Sequence, residues 1–229
     1  MDLDRRLALR AYGALTLLSL LSYILLDRRI AHVCAEIPRS VIDVLDPITD
    51  IGRSEWYLIG GALGALAFRF VARRPHLVTA AVLLLSSVAL SGVATNILKL
   101  VIGRSRPYNL LRHGEYGFVP FKIDYAYNSF PSGHTATVVA AALSLSFAFP
   151  RLRTPLFLLG AVVASTRILM NHHFLSDVLM GLALATAITT ATARWASRRT
   201  WGLDDVIADR EGWPDRSLPG LRAADGRKA

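Results

Sequence analysis

The stretch LVTAAVLLLSSVALSGVATNILKLVI, residues 77–102, decides the fold. It carries one charge, Lys99, close to its end. A bilayer's hydrocarbon core is about 30 Å thick and takes roughly 20 apolar residues as a helix, so this run is long enough to cross it. Working outward, five further apolar blocks read the same way: residues 7–26 and 56–71 before it, and 132–149, 155–170 and 178–193 after it. In lipid each must be helical, because an unpaired backbone N–H or C=O there has no water to bond. The expected fold is all-α, a polytopic bundle of six transmembrane helices filling residues 1–200. The second, fifth and sixth blocks are short and rich in Gly, Ala, Ser and Thr. Small residues permit close helix approach, which places these three inside the bundle. Residues 201–229 are polar, with Gly, Pro and mixed charge, and read as a loosely ordered cytoplasmic tail.

Composition supports the membrane reading. The chain is 53% hydrophobic, with a mean hydropathy of +0.40, more apolar than soluble domains usually are. Its formal net charge is +9. In a soluble protein that charge would point first to nucleic acid. Here most basic residues flank apolar blocks, where positive charge sets orientation and meets anionic lipid, so no nucleic-acid partner is expected. The lone Cys34 excludes an intrachain disulfide. Arg5, Arg6 and Arg10 precede the first run, but no Ala-x-Ala cleavage site follows it, so it reads as a retained span and not a signal peptide.

Orientation follows from the arginines. One set of flanks holds Arg5, Arg6, Arg10, Arg69, Arg73, Arg74, Arg151, Arg153, Arg194, Arg198 and Arg199, with few acids. The opposite loop, residues 27–55, sets four arginines against six acids. The arginine-rich set should be cytoplasmic. Both termini then lie inside, and the loops 103–130 and 171–177 lie outside, in a cell inner (plasma) membrane.

Three polar clusters fall at that outer face. They are Lys99 with Arg104, Arg106 and Pro107; Pro131-Ser132-Gly133-His134 at the start of the fourth span; and Arg167, His172, His173 and Asp177 around the fifth and sixth. Cations beside apolar segments are costly unless they serve a site. With few acids near them, Lys99, Arg106 and Arg167 call for an anion, and the planar arginine fork suits phosphate. A helix start at Ser132-Gly133 adds free N–H groups and a favourable dipole. His173 and Asp177 are four apart and share a helical face. A carboxylate on one imidazole nitrogen leaves the other free to attack, while His134 has the chemistry of a general acid and base.

Plainer readings exist for single residues. His172 reads as interfacial, His32 and His113 as solvent-facing, and Arg104 equally as a phosphate ligand or a loop arginine. Asp177 and Ser132 can each cap a helix. A zinc site from His134, His173 and Asp177 is disfavoured by the three cations around it.

The order Lys99, six residues, Arg106-Pro107; then Pro131-Ser132-Gly133-His134; then Arg167, five residues, His173, three residues, Asp177 resembles the phosphatidic acid phosphatase type 2 superfamily, in its membrane branch. The resemblance implies that Lys99, Arg106, Ser132, Gly133 and Arg167 hold phosphate. It makes His173 the nucleophile, Asp177 its orienting partner and His134 the general acid, then base. It also implies no cofactor and no metal. The family usually has Ser before the Arg of its third motif, where this chain has Thr166, which keeps the hydroxyl. The expected activity is hydrolysis of a lipid phosphomonoester or diphosphate through a phosphohistidine. The candidate substrates are phosphatidic acid, phosphatidylglycerophosphate, polyprenyl diphosphate and lipid A types, and the expected partners are phosphorylated and bulk membrane lipids. A phosphotransferase would use the same intermediate. A transporter would carry its site nearer the midplane. Aromatic residues between Tyr108 and Phe130 suit the membrane interface around the site.

Overall fold

A computed structural model describes residues 2–197, with side chains from 10 to 196; the tail expected at 201–229 lies outside the described residues. The architecture is all-helical. Among the described residues nine α-helices run in order: α1 Asp2–Leu25, α2 Asp27–Ala35, α3 Arg39–Asp50, α4 Ser54–Leu66, α5 Pro75–Ile102, α6 Pro107–His113, α7 Gly133–Ala148, α8 Arg153–Leu169 and α9 Leu175–Ser197. A π-helical turn, Ala67–Val71, extends α4. The only bridge of strand type among the described residues joins Arg104 to Phe118.

Each apolar block of the sequence is helical over nearly all of its length, the second through α4 and its π-helical turn, but the helices differ in reach. Pro75–Ile102, Pro150–Leu169 and Leu175–Ala196 are long and apolar enough to cross a membrane, while Arg10–Leu25 and Gly133–Ala148 are apolar but shorter. Among the described residues, then, three helices have the length and composition of a crossing, and the expected count of six rests on the sequence. α5 owes its length to clean ends. Pro75 occupies the first turn, where its missing N–H costs nothing. Gly103 closes the helix at φ +60, a conformation open to glycine. A Cβ at Gly103 would overlap the Val119 carbonyl, so the loop could not lie against the helix end.

The centre of the bundle differs from expectation. α7 packs against α5, α8 and α9, and nine of its residues are buried. α4, expected inside, is peripheral: only Gly61 is buried, and Trp56, Ile59, Leu63 and Leu66 are exposed. Because α7 meets protein on most sides, sixteen residues suffice for it, about 24 Å at 1.5 Å per residue. Small residues build its contacts. Ala140, Ala141 and Ser144 on α7, Ser87 and Ser91 on α5, and Ala185 and Thr189 on α9 are all buried. The opposite character appears outside, where Leu17, Leu20 and Ile24 on α1, Val93 and Ile97 on α5, and Leu158 and Val162 on α8 are exposed. An apolar girdle of this extent belongs in lipid, and the chain is a membrane protein.

The chain reverses between successive long helices, so the end of α5 and the starts of α7 and α9 share one end of the bundle. α2, α3, α6 and the loop 103–130 cover that end. Arg69, Arg73, Arg74, Arg151, Arg153 and Arg194 belong to the other end. The sequence read residues 27–55 as a loop. They form α2 and α3, short helices whose polar and apolar residues are interleaved, a pattern too brief to stand out from a loop.

Candidate active site

At the covered end lies a cavity of about 460 Å³. Lys99, Gly133, His134, Arg167 and His172 line it, with Thr49, Asp50 and Tyr125 among its other walls. All three sequence clusters therefore meet in one place. Lys99 is in the last turn of α5, and its Nζ stands 3.7 Å from where a Cβ on Gly133 would be. Ser132 caps α7, its Oγ accepting from the Thr135 N–H at 3.5 Å and the Thr135 hydroxyl at 3.0 Å. The Ser132 N–H goes to the Asp177 carbonyl at 3.0 Å. The next N–H groups, of Gly133 and His134, begin the helix and have no intrahelical acceptor. Ser132 is thus a cap in this structure, and Gly133 is the member of the pair that lines the cavity.

Arg167 enters from the last turn of α8. Its Nη1 donates to Thr49 Oγ1 at 2.8 Å. Its backbone carbonyl accepts the N–H groups of both His172 (3.1 Å) and His173 (3.0 Å), so the end of α8 holds the two histidines in place. Arg106 is spent differently. Its Nε, Nη1 and Nη2 donate to the carbonyls of Tyr125 (2.9 Å), His172 (2.8 Å) and Asn128 (3.2 Å). The guanidinium therefore clips the loop 125–128 to the histidine turn, with two of its five N–H groups left over. Burial lowers the Arg106 pKa.

His173 is buried against Asp177. Its Nδ1 is 3.6 Å from Asp177 Oδ2 and 3.5 Å from Ser129 Oγ, approaches rather than tight bonds. Ser129 donates to Asp177 Oδ2 at 2.6 Å. Asp177, third in α9, also accepts the Phe174 N–H at 2.8 Å, the reciprocal half of a capping box. From the third position of α9 it caps the helix start and faces His173. Burial, then the charges of Arg106, Lys99 and Arg167, hold the His173 pKa well below its ordinary value. These effects favour the uncharged ring, whose Nδ1 is turned to Ser129 and Asp177 and leaves Nε2 on the other side.

Three sequence readings need correction. His172, taken as interfacial, lines the cavity. Burial and the charges of Arg167 and Arg106 lower its pKa to about 4. Arg104 does not line the cavity: it is 1% exposed, and it donates through Nη2 to Asp27 at 2.7 Å and through Nη1 to Asp177. The cations are also less isolated than their sequence neighbourhood suggested, because Asp46, Asp50 and Glu55 line the same cavity. They arrive on α3 and the start of α4, held over the site by the Thr49–Arg167 bond. His32 and His113 are exposed, as expected.

Sequence reasoning missed Thr49, Ser129 and Gly52. A Cβ on Gly52 would stand 2.8 Å from His134 Cδ2 and 3.0 Å from Val163 Cγ1, so glycine there makes room for the His134 ring. The signal was faint: a Thr49-Asp50-Ile51-Gly52 run in a segment read as loop. Among the described residues no group of three His, Cys, Asp or Glu side chains is arranged to hold a metal.

Comparison with known proteins agrees with this geometry. The sequence model of the PAP2 superfamily matches residues 80–201. The chain is 30% identical over 204 residues to the lipid A 1-phosphatase of Rhizobium etli, covering 85% of this chain and 86% of that protein. It is 37% identical over 128 residues to the lipid A 1-phosphatase of Rhizobium johnstonii, covering 56% and 51%. A crystal structure of a transmembrane PAP2-type phosphatidylglycerolphosphate phosphatase from Bacillus subtilis superposes with a TM-score of 0.60 at 21% identity, over 82% of this chain and 96% of that one, a likeness of fold. The cage of cations around an imidazole, the helical bundle and these matches converge: the chain belongs to the PAP2 superfamily and is a membrane lipid phosphatase of that type.

Proposed function

We propose that this phosphatase works through a phosphohistidine on His173 and acts on a glycolipid phosphate of the lipid A type. The observation that carries the mechanism is the His173 ring, with Nδ1 toward Asp177 and Ser129, next to a cavity that gathers Lys99, Arg167 and the start of α7. Lys99, Arg167, the spare N–H groups of Arg106 and the N–H groups of Gly133 and His134 neutralise the phosphoryl oxygens, the main source of catalysis in phosphoryl transfer. His173 Nε2 attacks phosphorus in line. The P–O bond to the lipid breaks, and His134 gives a proton to the leaving oxygen. Water, deprotonated by His134, then attacks the phosphohistidine. The P–N bond breaks, and inorganic phosphate leaves. Asp177 offsets the positive charge that develops on the imidazole. The donor set of cations and imidazoles needs no metal.

Two observations favour a glycolipid. The relative matched over 85% of this chain is a lipid A 1-phosphatase, whereas an undecaprenyl-diphosphatase is matched over 63% at 29% identity. The carboxylates of Asp46, Asp50 and Glu55 at the cavity suit sugar hydroxyls, which donate to them. The arginine-rich end of the bundle supports a bacterial inner membrane with both termini inside and the site at the outer face. The test is phosphate release by the purified full chain from lipid A, undecaprenyl diphosphate, phosphatidic acid and phosphatidylglycerophosphate, each with and without EDTA. The expected result is fastest release from lipid A, unchanged by EDTA. A clear preference for a non-sugar lipid would overturn the substrate reading, and activity lost in EDTA and restored by magnesium or zinc would overturn the metal-free one.

A further inference from the structure

A charged network lies behind the cavity, on the side of Asp177 away from His173. Asp27, the first residue of α2, has a fully buried side chain. It accepts from Ser22 Oγ at 2.8 Å, the Ser176 N–H at 3.1 Å, the Ser176 hydroxyl and Arg104 Nη2 at 2.7 Å. Arg104 Nη1 donates to Ser176 Oγ and to Asp177 Oδ1. Aromatic rings fix the guanidinium, which sits 4.5 Å from the Phe174 ring centroid and 4.9 Å from that of Tyr23. Rings at this range favour a cation and hold its plane. Asp177 thus divides its oxygens: Oδ1 goes to Arg104, while Oδ2 takes Ser129 and the Phe174 N–H and faces His173.

The geometry points to Asp27 and Arg104 as positioning residues for the reaction. Within this network two buried carboxylates share one guanidinium, a net negative charge set against the cations Lys99, Arg106 and Arg167 that also act on His173. That negative charge favours the imidazole when it becomes cationic on phosphorylation. Without Asp27, Arg104 would neutralise Asp177 alone, and the carboxylate would offer His173 less. Without the Arg104 fork, Oδ1 would lose the donor that turns Oδ2 toward the ring. Asp27 lies outside residues 80–201, the part matching the superfamily, and reaches the site only through the fold. The inference rests on the reading of His173 as nucleophile.

The test uses the full chain in mixed micelles, with lipid A and dioctanoyl phosphatidic acid as probes. Asp27→Asn should lower kcat roughly 10- to 100-fold on whichever lipid the wild type turns over faster, as small misplacements of a reacting group do. KM and the orthovanadate inhibition constant should stay within about twofold, because the phosphate cage is untouched. Arg104→Lys should retain more activity than Arg104→Gln. Ser22→Ala, which removes one donor to Asp27, is the gentler variant should Asp27→Asn not fold, and should cost kcat a few-fold with KM unchanged. A wild-type kcat in Asp27→Asn overturns the proposal. So does a joint shift of KM, vanadate constant and melting temperature, which would make Asp27 a scaffold for the fold. An inactive His173→Ala beside a fully active Asp27→Asn faults this proposal alone, whereas an active His173→Ala faults the nucleophile itself.

Discussion

His172 and His173 are neighbours in sequence whose surroundings differ. The His172 carbonyl receives Arg106 and its ring lines the cavity, whereas the His173 ring is buried against Asp177 and Ser129. The first has the position of a wall and the second that of a nucleophile. His172→Ala should therefore raise KM several-fold while keeping kcat within about tenfold; steady-state kinetics check this, and a collapse of kcat would mean that His172 takes part in the chemistry. Both rings also predict a pH response. An unfolded histidine takes up its proton near pH 6.5. In the fold His172 does so only near 4, and His173 well below its ordinary value. Between those limits the unfolded state binds more protons, so stability falls as pH drops from about 6.5 toward 4. The melting temperature of the wild type should fall more steeply over that range than that of His172→Gln; parallel curves would contradict it. The residues that meet at the cavity were legible in the sequence because cations and imidazoles beside apolar spans stand out from their surroundings. Arg104 was not, because its carboxylate partner Asp27 lies 77 positions away in sequence and no spacing records the encounter. The acids of α3 escaped for the same reason.

At the scale of elements, α3 and the turn after it shape the site without carrying a motif. Thr49 braces Arg167, and Gly52 leaves room for His134. Gly52→Ala would press a methyl into the His134 ring and Val163. It should lower kcat roughly 10- to 100-fold by displacing the ring proposed as acid and base, with the fold retained, which circular dichroism and kinetics together can check; an unchanged kcat would mean the ring moves aside freely. The sequence showed the apolar helices because hydropathy is additive along a run. It misjudged which of them are central, because centrality depends on neighbours on all sides, and α7 has them while α4 does not. α2, α3 and α6 were missed because a few turns of mixed residues give too little periodicity to separate helix from loop.

For the whole molecule, the separation of charge links fold to function. The bundle carries its arginine-rich flanks at one end and the cation-lined cavity at the other, and the positive flanks should face the cytoplasm. With Cys34 replaced by Ser, a cysteine at Arg112 should react with an impermeant thiol reagent once any outer membrane is made permeable. One at Arg151 should stay protected until the inner membrane is broken. The reverse pattern would move the site to the cytoplasm, and equal protection would mean a miscounted span. The most direct test of the account is to trap the covalent intermediate. Rapid acid-free quenching during turnover of a ³²P-labelled lipid substrate should leave label that survives base, is released by acid and maps to His173. His173→Ala should show neither label nor turnover while still inserting in the membrane. Label on another residue, or near wild-type phosphate release from His173→Ala, would contradict it.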